Sequence, residues 1–557
     1  MTRSLEAVDR MRWMAALVAS LLLTAMVSLA LNIARTPIST VSSGSPVLGA
    51  SEALDARIAA LAAADPSRTL EAIVQFKGGV SAGRARRDSA TVHGRVIAEL
   101  HIINALGLRL TAAQARKLAA DPDVHSVSLN AAIKTQGLGG LARFRLDRNR
   151  INGRALSPQN TYEQTLSANA LWRFGLTGSG VGVAVIDTGI DGELPDFRSA
   201  VGAHSRVIAT AVANPGATTV QDTYGHGTDV AGIIAGDGAN RDRSDPLYGQ
   251  YVGVAPNANL IAVKVADNAG RATVLDVIAG IQFAIDHKAD FDIRVINLSL
   301  DSTTPQSYQT DPLDAAAESA WMHGIVVVAA AGNRGSAGNA VQYAPANDPY
   351  VITVGAVDEN GSSNPANDTI ASWSSRGITQ DGFAKPDVYA PGTRIVSVLA
   401  PGSAFAGACS ACTVDSQYIR TSGTSMAAPM IAGLAADVLQ AHPGWTPDQV
   451  KGAITSPAAG AGAPVVEPNA VKVELLANPP AANRGLTPSS LITGPSGQVN
   501  YGFGSWSFGS WSIAKGSLSA GFALSSWSCA DCTGQGNPVD PSLSSWTLGS
   551  WSTLGVH

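Results

Sequence analysis

Residues 181–189 read Val-Gly-Val-Ala-Val-Ile-Asp-Thr-Gly. A short uncharged run closed by an acid and a glycine reads as a strand buried on both faces. Similar runs return at 260–265, 295–300, 325–330 and 351–354, with helical stretches such as 273–286 and 311–323 between them. That alternation predicts an α/β domain over about 165–458, a parallel sheet flanked by helices. Parallel sheets place their reactive groups at the carboxyl ends of strands, which is where Asp187 falls. The glycines of Gly178-Ser-Gly180-Val-Gly182 precede the strand, whereas a dinucleotide fingerprint follows one, so they are a decoy.

Three further residues sit at comparable ends. His226 lies between Gly225 and Gly227 at the start of an apolar helical pattern, where small neighbours let backbone and substrate approach the ring. No second His or Cys stands at ligand spacing, which disfavours a metal there. Ser425, in Thr421-Ser-Gly-Thr-Ser-Met-Ala-Ala-Pro429, opens another apolar helix. It reads equally as an ordinary helix cap or as a nucleophile whose oxyanion would meet exposed N–H groups and a favourable dipole. A serine hydroxyl needs a base to act as a nucleophile. Asn333 follows 326–332 at a strand end, either as a turn residue or as an amide donor to an oxyanion. Singly these readings are weak; together they supply orienter, base, nucleophile and oxyanion donor.

Asp187-Thr-Gly, Gly225-His-Gly-Thr228, Ala330-Ala-Gly-Asn333 and Gly423-Thr-Ser-Met-Ala-Ala-Pro429 make the chain resemble the subtilisin-like serine proteases. Gly253-Val-Ala-Pro256, Ile296-Asn-Leu-Ser-Leu300, Ser372-Trp-Ser-Ser-Arg-Gly377 and Lys385-Pro-Asp-Val388 support it, as does the order Asp, His, Ser. The resemblance implies that His226 takes the Ser425 proton, that Asp187 orients the imidazole, and that Asn333 with the Ser425 N–H binds the oxyanion. It also implies that Leu298, Ser299 and Leu300 run beside the substrate backbone. Ala330, Ala331 and Gly332 would line the primary specificity pocket, with room for a sizeable apolar side chain. Such chemistry needs no cofactor, and no catalytic metal is expected.

The chain departs from the family pattern at Asp229 and Met430, where histidines are common, and at Asp301, where glycine is usual. An added carboxylate at Asp301 would disfavour acidic substrates. The stretch 236–251 replaces a frequent calcium loop and holds Asp237, Asp242 and Asp245 without a recognisable ligand ladder, so structural calcium stays open. Residues 51–135 have the element order of a small α+β domain and resemble the family's propeptide, an inhibitor of its own enzyme. They include a strand at 70–76, an apolar stretch at 96–110, a helix capped by Thr111 and a strand at 124–129. Self-cleavage is expected within 131–165.

The remaining chain gives context. It has 557 residues, net charge −5, 45% hydrophobic and 15% charged residues, too apolar for a disordered chain and without a basic excess that would call for nucleic acid. Residues 13–33 lack charge and follow Arg3, Arg10 and Arg12, so 1–35 is a signal peptide or a membrane anchor. Either exports the body, secreted or tethered to the outer side of the membrane. Residues 36–50 read as a linker, 136–164 as a connector carrying the processing site, and 459–500 as a second linker. The tail at 501–557 holds five of ten tryptophans in Ser-Trp-Ser or Ser-Trp-Thr settings, suited to packing or to cell-surface contact. Cys409, Cys412, Cys529 and Cys532 form two Cys-x-x-Cys pairs, readable as disulfides in an exported chain or as a zinc set. The expected function is an exported serine endopeptidase acting on proteins or peptides. Two rivals use the same features: a surface-binding protein whose protease domain has lost activity, and an acyl hydrolase acting on esters.

Overall fold

The computed structural model describes residues 53–135, 160–199, 204–456 except 242, 246 and 247, 467–493 and 499, with backbone alone at 150–151, 154–155 and 526–529. The leader, the first linker, most of the connector and the tryptophan tail lie outside the described residues.

Asp55 accepts the Arg57 N–H and starts α1 (Ala56–Ala64). β1 (Thr69–Phe76), α2 (Ala82–Thr91), β2 (Arg95–Leu100), β3 (Ala105–Thr111), α3 (Ala112–Ala119) and β4 (Val124–Leu129) follow. The strands make an antiparallel sheet in the order β2-β3-β1-β4. Thr111 and Gln114 cap α3 reciprocally, as their spacing predicts. Ile58, Ala62, Leu106, Leu108 and Leu118 fill the side of the sheet facing the helices. The 96–110 stretch is two strands, turned at His101–Ile103 with Asn104 in the left-handed region. Then β5 (Ala132–Thr135) leaves this sheet altogether.

The larger domain runs through β6 (Gly182–Asp187), β7 (Val207–Val212), α4 (His226–Ala235), β8 (Asn259–Lys264), β9 (Ala272–Thr273), α5 (Val274–Asp286), β10 (Ile293–Leu298) and β11 (Leu300–Ser302). It continues with α6 (Pro312–Met322), β12 (Val326–Ala330), β13 (Ile352–Asp358), β14 (Thr369–Ile370), β15 (Val388–Pro391), β16 (Ile395–Val398), α7 (Ala404–Ala408), β17 (Tyr418–Thr421) and α8 (Thr424–Ala441). β13-β12-β10-β6-β8-β7 form the parallel centre of one sheet, with every residue of β6 buried. Capping chemistry sets the helix starts: Thr273 and Asp276 bond reciprocally at α5, and Asp311 caps α6 ahead of Pro312. Helix α8 is apolar all round, and its residues from Thr424 to Leu439 are buried, as a helix through a core must be. The outer face of β2 and β3 rests on α5: Gln282 Nε2 donates to Glu99 O at 3.2 Å, and His101 meets Asp286 at 2.8 Å.

One expectation is corrected. Within 459–500, read as a linker, the described residues 467–493 carry α9 (Ala470–Glu474) and pack on the larger domain, where Ala470, Val473, Leu491 and Ile492 enter its core. Abundant Ala, Pro and Gly masked a short apolar pattern that gains its burial only from distant elements.

Candidate active site

β6 ends with its carboxylate inside the protein. Asp187 Oδ1 accepts from Thr188 N at 2.7 Å and lies 2.7 Å from His226 Nδ1, both side chains fully buried. His226 stands at the first turn of α4. That helix can come this close to β6 because residue 227 is glycine; a Cβ there would run into the Gly189 carbonyl. The turn is held by Asp222, which the sequence reading did not single out. Its carboxylate accepts from Gly225 N, Thr228 N, Thr228 Oγ1 and Thr188 Oγ1 at 2.7–2.8 Å, a carboxylate collecting the orphan donors of a helix N-terminus. Burial works to lower the His226 pKa. Attraction and hydrogen bonding to Asp187, with Asp229 and Asp222 adding to them, outweigh it, so the imidazole holds a proton above its ordinary range. Its Nε2 is buried without a hydrogen-bond partner.

Ser425 is buried in the first turn of α8, which packs on α4. Thr421 Oγ1 donates to Asp229 Oδ2 at 2.9 Å, tying the chain four residues before Ser425 to the helix three residues after His226. The serine hydroxyl donates to Ser299 O at 3.1 Å rather than to His226. Proline explains the neighbouring contact. Pro429 has no N–H to offer the Ser425 carbonyl four residues back, and Ser299 Oγ donates to that carbonyl at 3.0 Å instead. Asn333 is turned by Thr424, whose N and Oγ1 donate to Asn333 Oδ1 at 3.1 and 3.2 Å. Its Nδ2 therefore lies on the Gly423 side, 3.4 Å from where a Cβ on Gly423 would stand.

β5 lies between β9 and β11, antiparallel to both, with Ala272 opposite Ile133, Leu300 opposite Thr135, Asp301 opposite Lys134 and Ser302 opposite Ile133. The edge that accepts a strand is therefore 300–302. Leu298, expected to run beside substrate, is instead a core residue of β10 opposite Ala329, because the pleat keeps it in the central sheet. Ser299 bridges the two roles through Ser425. Ala330 closes β12, and Ala331 N donates to Val354 O at 2.9 Å. Gly332 faces Arg334, Asp301 and Ser375: a Cβ on it would meet Arg334 Nη1 at 2.8 Å and Asp301 Oδ2 at 3.0 Å. The room expected there for a large apolar side chain is thus bordered by a charged pair. Arg334 is ion-paired with Asp301, and its guanidinium lies 3.6 Å over the Tyr343 ring.

Burial pushes the Asp229 carboxyl up to about 7, with the Thr421 hydrogen bond and His226 pulling the other way. An acid with a raised folded-state pKa keeps its proton in the fold while the unfolded chain has lost it. Stability therefore falls as pH rises from the ordinary carboxylate range through 7. In a Ser425→Ala background, Asp229→Asn is expected to flatten this slope, its melting temperature gaining on the parent as pH rises from 5 to 8. Parallel melting curves across that range would contradict it. Met430 is simply buried. In the 236–251 stretch, Asp237 accepts from Ala239 N and Asp245 pairs with Arg241, while Asp242 lies outside the described residues. Cys409 and Cys412 are joined as a disulfide, which removes the four-thiolate zinc alternative. The Cys529 side chain and Cys532 lie outside the described residues.

The fold and this site define a class: enzymes with acid, imidazole and serine at strand and helix ends of one parallel sheet, in the chain order Asp, His, Ser. The sequence profile of the subtilase family matches residues 178–489, and the chain belongs to that family. It is 43% identical over 281 residues to serine protease AprX of Bacillus subtilis (strain 168), covering 50% of this chain and 60% of AprX. It is 40% identical over 295 residues to subtilisin E of the same organism, covering 53% of this chain and 64% of that protein. A crystal structure of fervidolysin from Fervidobacterium pennivorans, described as a keratinolytic enzyme related to subtilisin, superimposes with a TM-score of 0.51 at 25% identity, over 70% of this chain and 57% of that one.

Proposed function

We propose that the chain is an exported serine endopeptidase, made as a self-processed precursor whose N-terminal domain inhibits it. β5 carries the reading: a segment of polypeptide lies as an added strand on 300–302, with Thr135 opposite Leu300. The next position on that edge is Ser299, whose carbonyl holds the Ser425 hydroxyl. A peptide in that register is delivered to the nucleophile, which is what a protease requires and an esterase does not.

In the reaction, the Ser425 hydroxyl leaves Ser299 O and gives its proton to His226 Nε2, the nitrogen left without a partner, as the oxygen attacks the peptide carbonyl. The Nδ1–H donated to Asp187 keeps the ring in the tautomer whose Nε2 accepts, and the carboxylate stabilises the imidazolium. Asn333 Nδ2 and the Ser425 N–H hold the oxyanion. His226 then returns the proton to the leaving amine. Every group used comes from the chain.

Two measurements test the proposal. Turnover of a denatured protein is expected to exceed turnover of a short acyl ester at matched concentration; the reverse ratio would favour the acyl-hydrolase reading. N-terminal sequencing of the exported enzyme is expected to begin within a few residues after Thr135. A start before 131 or beyond 165 would overturn self-processing through β5.

Asp301 also gains a consequence. Its charge is balanced by Arg334, so the discrimination against acidic substrates expected from a free carboxylate should be weak in the natural enzyme. Arg334→Ala exposes the carboxylate and is expected to slow peptides with an acid next to the cleaved bond by about tenfold relative to neutral ones, roughly 1.4 kcal/mol. An unchanged ratio in a peptide library would contradict this.

A further inference from the structure

We propose that Phe405, carried by the disulfide-closed connection between β16 and β17, is a positioning residue for the His226 imidazole. The inference rests on His226 being the base of the reaction above.

A single hydrogen bond to Asp187 fixes Nδ1 but leaves the ring free to tilt about it. Something else must hold the plane. The Phe405 ring is fully buried, with its centroid 5.9 Å from that of His226 and the planes at 77°. This is the tilted approach that aromatic rings favour. Tyr224 backs it at 5.4 Å. The connection is zipped to the histidine loop by main-chain bonds: Ala404 N donates to Thr223 O at 2.9 Å and Phe405 N to Tyr224 O at 3.0 Å. The fit leaves no space for a side chain at Gly225, whose φ is +102° and whose Cβ would stand 2.6 Å from Ser403 Oγ and 3.0 Å from Phe405 Cβ.

The five-residue helix α7 that carries Phe405 is too short to hold itself. Ser403 caps it by accepting from Ala406 N, and the Cys409–Cys412 bond closes the turn that follows. Cys412 then packs with Leu399, Ile419 and Phe405 as a small separate core. An exported chain can keep such a bond. Phe405 is the apolar wall of a site whose other facing groups are the carboxyls of Asp187, Asp222 and Asp229, with Lys264 Nζ donating to Thr188 O and Gln221 O behind them.

The test uses the mature enzyme. Phe405→Ala is expected to lower kcat about tenfold while KM stays within twofold, and to slow fluorophosphonate labelling of Ser425 by the same factor. The acid limb of its kcat/KM profile should move to higher pH, because water reaching the ring relieves the burial that opposes its cation. Phe405→Leu, which keeps apolar bulk, should recover most of the rate. The double variant Cys409→Ala/Cys412→Ala should lower kcat in the same direction by a smaller factor. Unchanged labelling and an unchanged acid limb in Phe405→Ala would overturn the proposal. If that variant does not fold, an unchanged rate and limb in the double cysteine variant would do so. Failure of the parent enzyme to label at all would instead overturn the reading of Ser425 and His226 on which this one stands.

Discussion

Ser425→Ala is expected to lower peptide hydrolysis by about a million-fold, the scale known for loss of the nucleophile in a subtilisin, and to leave the chain uncut beyond Thr135. The effect follows from what the hydroxyl does. The neighbouring Thr424 hydroxyl is committed to Asn333 Oδ1, so removing the Ser425 hydroxyl leaves His226 Nε2 with no proton to take. The fold should survive. The hydroxyl makes one hydrogen bond, to Ser299 O, worth about 1 kcal/mol, while the bond from Ser299 Oγ to the Ser425 carbonyl remains. The variant should therefore accumulate as a folded, full-length precursor with 53–135 still docked. Casein turnover and the mass of the purified variant check both halves. Normal processing in this variant would mean that another protease makes the cut.

Asp187→Asn is the second large effect. A drop in kcat of about ten-thousand-fold is expected, the order seen when the buried acid of a serine-protease triad becomes an amide. Asp187 Oδ1 accepts from both Thr188 N and His226 Nδ1, so one oxygen fixes the loop and the tautomer together. An amide keeps the size but loses the charge, and it presents an N–H2 group that favours the wrong tautomer. The carboxylate is also the main attraction that raises the His226 pKa against burial. Without it the imidazolium is harder to form, so the acid limb of kcat/KM should shift to lower pH as the plateau falls. That direction is opposite to the one expected for Phe405→Ala, which separates loss of charge from loss of packing. A limb that stayed in place would contradict the electrostatic account.

Much of this was legible in the sequence because the chemistry sits where regular elements end. Asp187 closes an apolar run, His226 and Ser425 open helices, and the capping box at Thr111 marks a helix start on its own. What escaped was set by pairs distant in the chain. Nothing near Asp301 announces Arg334, and nothing near Pro429 announces that Ser299 will serve the carbonyl that the proline leaves free. Nothing in the sequence singles out Asp222, since its four hydrogen bonds form only with the returning helix and Thr188. β7 was missed because Thr210 interrupts its apolar run, and the strand gains its burial from β8. The same cause hid the change of sheet: the run at 295–300 looks continuous, but the chain leaves the central sheet after Leu298 and pairs elsewhere from Leu300.

The central claim is that buried groups from three distant segments activate one hydroxyl. A fluorophosphonate probe followed by peptide mapping addresses it most directly. One adduct is expected, on Ser425, forming faster as pH rises through the His226 titration and absent from His226→Ala. An adduct on any other residue, or one that forms equally well without the imidazole, would contradict it.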